Sequence, residues 1–534
     1  MRLWPALSRA RPGSALAPCL AIAVIVALVA VSVRIGSDAR WLAALGRQVA
    51  ARGSVPAGVP FAAAASPHWP NPLVAAELLF AALESALGDR GLMLAQLVAV
   101  AVGLALAARD ARAGGAQGLP TAAALALAAL GSITSLAIAR VQLFSLILMP
   151  ALVLLLRADA RLQSRRIWLA VPLLAVWSNL HGGALLGLGM LFCQVALTRA
   201  RRRPGESLAL VVSAAAALCA TPAGPSTIAY YRGVLENVAA QRGAGLWAPL
   251  SLRSPFDLLL IVCAVTALGA AARARPRIWE WAVIAALSVA TVRADRNGVW
   301  LMLFLVAPAA RGLMAGAPAA GGVIEPRTRR APPGARGAWP TGARGAWPPG
   351  ALGARPTALQ GARPSLVRPR AMGATVAKRP VLAGPTVRPR AMGATAAALA
   401  ALAIAAPSAV TAAAMVRGPV AAGAPRSLVA RAVALAHGSP VLADGSIDEQ
   451  VALAGGRIWA GDPIDAFPAP VQAAYLDWLA GAPGGLRALV APVSVVLVSL
   501  GSPSQRLMAH LGGFAAVGAA GGAVLYVRTT GRLR

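Results

Sequence analysis

Long apolar runs alternate with arginine-rich junctions along most of this chain, and that alternation fixes both its class and its orientation. Between residues 18 and 416 about eleven apolar stretches approach the ~20 residues that a helix needs to cross a bilayer. Dense basic clusters fall at every second junction: Arg109 and Arg112, then Arg157, Arg161, Arg165 and Arg166, then Arg199, Arg201, Arg202 and Arg203, then Arg273, Arg275 and Arg277. Cytoplasmic loops carry the excess of Lys and Arg, so these junctions are assigned to the inside. With 58% of 534 residues hydrophobic and 13% charged, the chain has too little polar surface for a soluble protein. The net charge of +32 comes without any recognition module, so a nucleic-acid partner is not expected and membrane lipids are. The four cysteines sit in apolar stretches without CxxC spacing; they read as small buried residues, neither metal ligands nor a disulfide framework.

The first run, 18–35, follows Arg2, Arg9 and Arg11 and reads as an uncleaved span leading outward. Segment 36–71 is too polar to span and forms the first external loop. Within it Trp41, Leu42, Leu45 and Val49 recur at helical spacing, with Arg40 and Arg47 on the other side, which predicts a helix lying on the membrane surface. Residues 72–87 carry Glu77 and Glu84 and read as a helix half-buried at the outer face. Spans then alternate over 92–108, 119–138, 141–156, 167–180, 184–197 and 208–220. A second external loop, 221–255, precedes spans over 256–272, 278–292 and 297–313.

Segment 316–395 is different. It is rich in Pro, Gly, Ala and Arg, with GARGAWP at 334–340 repeated at 342–348 and VRPRAMGAT at 367–375 repeated at 387–395. Such a composition buries too little apolar surface to offset its ordering entropy, so a disordered cytoplasmic linker is expected. A last outward span, 396–416, leaves 417–534 outside. There, helical and extended patterns alternate: helices over 427–436, 448–454, 472–479 and 505–511, and strands over 440–443, 493–498 and 523–528. That rhythm predicts a small α/β domain.

Ionisable groups beside apolar spans are costly, and by default they are functional candidates. Four sets qualify: Asp38; His68, Trp69, Pro70 and Asn71 with Glu77; Asn179 and His181; and Arg140 with Arg293, Arg296 and Asn297. All are expected at the outer face. Asp38 can take a proton from an attacking hydroxyl or hold a divalent cation. The arginines match phosphate oxygens, while His68, Trp69, Glu77, Asn179 and His181 offer polar and stacking contacts to a sugar. Each has a competing structural assignment. Ser37 and Asp38 are good helix N-caps, Trp177 suits an interface anchor, and Arg140 can snorkel. His437 and His510 read as structural.

The segments SDARWLAALGRQVAARGSVP and HWPNPLVAAELLFAAL resemble the first external loop of GT-C-type membrane glycosyltransferases, chiefly bacterial and largely uncharacterised members. ARVQLFSLIL, VWSNLHGGALLG, VRADRNGVW and GDPIDAFPAPVQAAYLDWLAG are similar to later segments of that group. The resemblance implies transfer of a sugar from a polyprenyl-phosphate donor at the outer face of the bacterial cytoplasmic membrane, and it points to Asp38 as the loop aspartate near the reacting centre. Several members pair that aspartate with a second acid, sometimes with a divalent metal. No second acid adjoins Asp38, and Glu77 is the nearest candidate.

The expectation is therefore an all-α polytopic protein of about eleven transmembrane helices, GT-C-like, with a small extracytoplasmic α/β domain. Asp38 is the catalytic candidate. Arg140, Arg293 and Arg296 would bind the donor phosphate, and a divalent cation is left open. The alternatives are a non-catalytic envelope scaffold and a lipid or glycan transporter.

Overall fold

The computed structural model describes residues 13–66, 69–315, 424–489 and 492–529. The expected linker 316–395, the span 396–416 and His68 lie outside the described residues. Every other expected span is helical. Gly13–Ser32, Asp89–Ala113, Leu143–Arg161, Pro255–Arg273 and Gly298–Ala315 are the long helices. Among the described residues five helices are long and apolar enough to cross a membrane. Gly118–Gly131, Ala170–Leu180, Ala184–Gln194, Pro204–Ala217 and Ile278–Arg293 are shorter.

The outward faces explain why this bundle belongs in lipid. Leu20, Val24 and Leu28 recur every fourth residue on the first helix, each more than half exposed. Leu94, Val98 and Val102 recur at the same spacing on Asp89–Ala113 and are also exposed. Aliphatic stripes of this kind are a liability in water and the natural contact surface for acyl chains. Inside, helices meet through small residues. A Cβ on Gly312 would collide with the carbonyl oxygen of Ala270, and one on Gly103 with that of Leu146, so glycine sets how closely these backbones approach.

Two expected spans end in a short strand instead of completing their helix. The first helix ends at Ser32, and the run 119–138 breaks at Ser132. In both cases the last residues leave the helix to form a short parallel pair, β1 (Arg34–Ile35) against β2 (Ile138–Ala139). The Arg34 N–H donates to the Ala137 carbonyl (2.9 Å) and the Gly36 N–H to that of Ala139 (3.0 Å). This pair brings the chain before Asp38 alongside the chain before Arg140.

The helix Ala39–Arg52 forms as expected, but it does not lie on lipid. Ala39, Leu42 and Ala43 face the main helical core, while Trp41, Ala44 and Leu45 enter a second core made largely of C-terminal residues. Protein covers both of its faces. Arg40 and Arg47 are also engaged: Arg40 pairs with Asp89 at 3.0 Å and Arg47 with Glu84. Val74–Leu87 packs directly against this helix.

The C-terminal part carries a four-stranded sheet of order β3-β4-β6-β5. Strands β3 (Val441–Ala443) and β4 (Val495–Ser499) are parallel. Strand β6 (Ala523–Arg528) runs antiparallel to β4 and closes a hairpin with β5 (Phe514–Ala520). Strand β5 was not expected, because FAAVGAA offers no apolar alternation and most of it is exposed. Helices Arg426–Ala436, Gly445–Leu453, Ala469–Leu479 and Pro503–Ala509 complete it. This part does not close its core alone. Phe61 stacks edge-on against Trp41 at 4.6 Å, and the Ile458 N–H donates to the Phe61 carbonyl (2.9 Å). The boundary expected at 417 therefore does not separate the cores: the first external loop is part of the C-terminal packing.

Gly46 is where Ala39–Arg52 touches Val74–Leu87, since a Cβ there would meet the carbonyl of Glu77. Gly46→Leu should cost about 1–3 kcal/mol through overpacking, read as earlier thermal unfolding of the detergent-solubilised protein.

Candidate active site

Asp38 stands at the first turn of Ala39–Arg52 with a left-handed φ of 84°. Asp is among the few residues that tolerate this region. The side chain makes no capping hydrogen bond; that task falls to Glu449, far along the chain. The Asp38 N–H donates to Glu449 Oε1 (2.8 Å), and those of Arg40 and Trp41 to Oε2 (3.2 and 3.4 Å). A carboxylate at a helix N-terminus meets the orphan N–H groups and the positive end of the dipole. The Asp38 carboxylate is thereby released from capping and accepts instead from Arg140 Nη2 at 3.1 Å. Arg140 passes close over the backbone: a Cβ on Gly36 would lie 2.6 Å from its Cγ. Its Nε–H is buried without a partner.

Arg296 comes from the turn Asp295–Asn297 and stacks on Trp247 at 3.8 Å. His181 follows the helix Ala170–Leu180. Burial, together with the positive charges of Arg296 and Arg140, holds its pKa down at about 3, so it is neutral at physiological pH. Its tautomer follows from its bonds. Trp177 Nε1–H donates to Ser145 Oγ (2.6 Å), Ser145 Oγ lies 2.6 Å from His181 Nδ1, and the Gly183 N–H donates to Nδ1 (3.2 Å). With Nδ1 accepting, Nε2 carries the proton, and His181 is a neutral donor. Gly182 leaves room for Tyr230, whose hydroxyl would be 3.1 Å from a Cβ there.

The C-terminal part adds acids that the sequence reading did not select. Burial, with the charge of Asp38 and against that of Arg140, pushes Asp462 up to about 7. Asp465 accepts from Trp69 Nε1 at 3.2 Å, and burial raises it to about 6. Trp69, Tyr230, Asp465 and Phe467 line a cavity of about 330 Å³. It draws on both external loops and the C-terminal part.

The other candidates fall elsewhere. Glu77 is fully buried and accepts from Asn71 Nδ2 (2.7 Å), a bond within its own loop. Asn179 Nδ2 donates to the carbonyls of Ala175 and Ala220 (2.8 and 2.6 Å), tying two helix ends together. Arg293 is exposed at the end of its helix, with no bond to this group among the described residues. Trp177 is fully buried, so it supports Ser145 and does not anchor the chain at a lipid interface.

No family model matches the chain, and no curated protein matches it. Among solved structures the chain resembles ArnT from Cupriavidus metallidurans bound to undecaprenyl phosphate. That likeness covers 97% of this chain and 98% of the other, at 11% identity and a TM-score of 0.46.

Asp462 and Asp465 were within reach of sequence reasoning. They lie in GDPIDAFPAP, where two acids among prolines interrupt an otherwise apolar stretch. Glu449 gave no such signal, since nothing in its own helix marks it as the cap of another. A divalent cation does not fit the donors as they stand. Asp38 is held by Arg140 and Glu449 by three N–H groups. Among the described residues no three His, Cys, Asp or Glu side chains converge as a ligand set.

The raised Asp465 has a consequence for stability. The unfolded chain ionises there near 3.8, but the folded protein keeps its proton until about 6. Stability from this group is therefore fully present below pH ~4, falls as pH rises to ~6, and is level above. Asp465→Asn, which keeps an acceptor for Trp69, should flatten that decline and leave the protein about 1–3 kcal/mol more stable at pH 7. Thermal unfolding across pH 4–8 is the measurement.

Proposed function

We propose that the protein is an integral membrane glycosyltransferase that moves a sugar from a polyprenyl-phosphate donor to an envelope acceptor at the outer membrane face. The observation that carries this reading is the grouping of Asp38, Arg140, Arg296 and His181 at one end of a lipid-facing bundle. An anionic leaving group, two guanidinium groups and a neutral N–H donor match one another chemically.

In the proposed reaction the acceptor hydroxyl attacks the anomeric carbon and gives its proton to the Asp38 carboxylate. The bond between that carbon and the phosphate oxygen breaks, with inversion, and polyprenyl phosphate leaves with the bonding pair. Arg140, through its unpartnered Nε–H, and Arg296 bind the phosphate, and His181 Nε2–H donates to one of its oxygens. The cavity beside Trp69, Tyr230 and Asp465 takes the sugar ring, the aromatic faces stacking and the carboxylate accepting from hydroxyls. Arg293, Asn179 and Glu77 take no part in this step, and His68 adjoins Trp69 in sequence.

A second reading has one observation in its favour. The Asp38 carboxylate is already paired with Arg140, which a non-catalytic scaffold also requires.

Mass spectrometry of envelope lipids and glycans separates the two, in a deletion strain complemented with wild type or Asp38→Asn at matched membrane levels. On the transferase reading a glycan loses one sugar on deletion, and the variant restores transfer about 10²–10⁴-fold less well. Equal restoration by both would leave Asp38 as a structural partner of Arg140.

A further inference from the structure

At the other end of the bundle, four helix termini line a second, open cavity of about 170 Å³. At ~30 Å³ per water it has room for several. Its lining is basic: Arg157, Arg161, Arg277 and Arg311, with Glu280 and Trp279. Arg157 is committed to three acceptors within the protein. Its Nε donates to Glu280 Oε1 (2.8 Å), Nη1 to Asp110, and Nη2 to the Phe304 carbonyl (3.0 Å). Arg311 reaches Glu280 only at 3.7 Å, beyond hydrogen-bond range. Arg277 donates to the Ala160 carbonyl, and Arg161 has no bond among the described residues. Asp110 and Glu280 thus face four guanidinium groups, and two positive charges are left without a carboxylate. The Trp279 indole N–H is fully buried and has no acceptor.

The buried Trp279 donor without an acceptor is costly, and the two guanidinium groups left without a carboxylate, Arg161 and Arg277, line the cavity with their side chains exposed, where an anion can reach them. We propose that this cavity binds a phosphate group, gripped by Arg161, Arg277 and Arg311. Planar guanidinium groups match phosphate oxygens bidentately. The helix Leu143–Arg161 runs 19 residues from the Arg140 end to this one, about 28 Å at 1.5 Å per residue. That is the depth of a hydrocarbon core, so the cavity lies at the headgroup level opposite Asp38. The arginine pattern assigns that level to the cytoplasmic leaflet, where anionic lipids concentrate. The site is independent of the reaction at Asp38, and its phosphate can come from a phospholipid headgroup or from free phosphate.

Thermal unfolding of the full chain in detergent tests this and separates the sources. The probes are phosphatidylglycerol against phosphatidylcholine in mixed micelles, and inorganic phosphate against chloride at equal ionic strength. Arg161→Gln with Arg277→Gln is the variant, since both side chains are exposed. Arg161→Gln alone reads the same difference if the pair fails to fold. A rise in Tm of about 2 °C or more with phosphatidylglycerol, lost in the variant, supports the site with lipid as the source. The same rise with inorganic phosphate, also lost, supports it with free phosphate. No rise with either, or an equal rise in wild type and variant, overturns it.

Discussion

Glu449 is the residue on which the rest of the arrangement turns. Its carboxylate receives three N–H groups at the start of the helix Ala39–Arg52, and in doing so it performs two tasks. It fastens the C-terminal part to the helical bundle, and it frees the Asp38 side chain from the capping role that an aspartate at that position would otherwise take. Burial and the neighbouring charges of Asp448 and Asp38 push the Glu449 carboxyl up, while the Asp38 N–H opposes them. Because the acceptor is a buried group with donors on both oxygens, removing it strands several backbone N–H groups at once.

The bundle has two polar ends and an apolar middle. At one end Arg140, Asp38, Arg296 and His181 interact; at the other, Arg157 bridges Asp110 and Glu280. Both sets are knitted from helices far apart in sequence, which is how charges so near a hydrocarbon layer are kept paired. The helix ends that the arginine spacing assigned to one side do meet there. Arg157 to Asp110 and Glu280, and Arg277 to the Ala160 carbonyl, are the contacts that join those ends.

How much was legible follows from the range of the forces involved. Apolar runs are local signals, so Asp89–Ala113 and Pro255–Arg273 could be read within a few residues. So could Asp38, His181 and Trp69, because polar groups stand out beside spans. What the sequence hid was long-range. The early stop at Ser32 depends on pairing with Ile138 and Ala139, a partner that no local pattern announces. The surface helix was misassigned because amphipathicity records that one face is covered, not whether lipid or protein covers it. Glu77 was named as the nearest acid in sequence, whereas folding brings the distant Asp462 under the influence of Asp38 and Arg140.

The shared core of the C-terminal part has a consequence for biogenesis. Trp41 and Phe61 emerge early in synthesis, yet the residues that enclose them, among them Val441, Ile447 and Leu525, emerge near the end. Ribosomal order therefore makes the Asp38 centre one of the last features to mature. A nascent or prematurely terminated chain can insert its helices while its Asp38 loop still lacks its cap and its apolar cover. Such a chain presents an exposed tryptophan and phenylalanine, the kind of surface that membrane quality control can recognise.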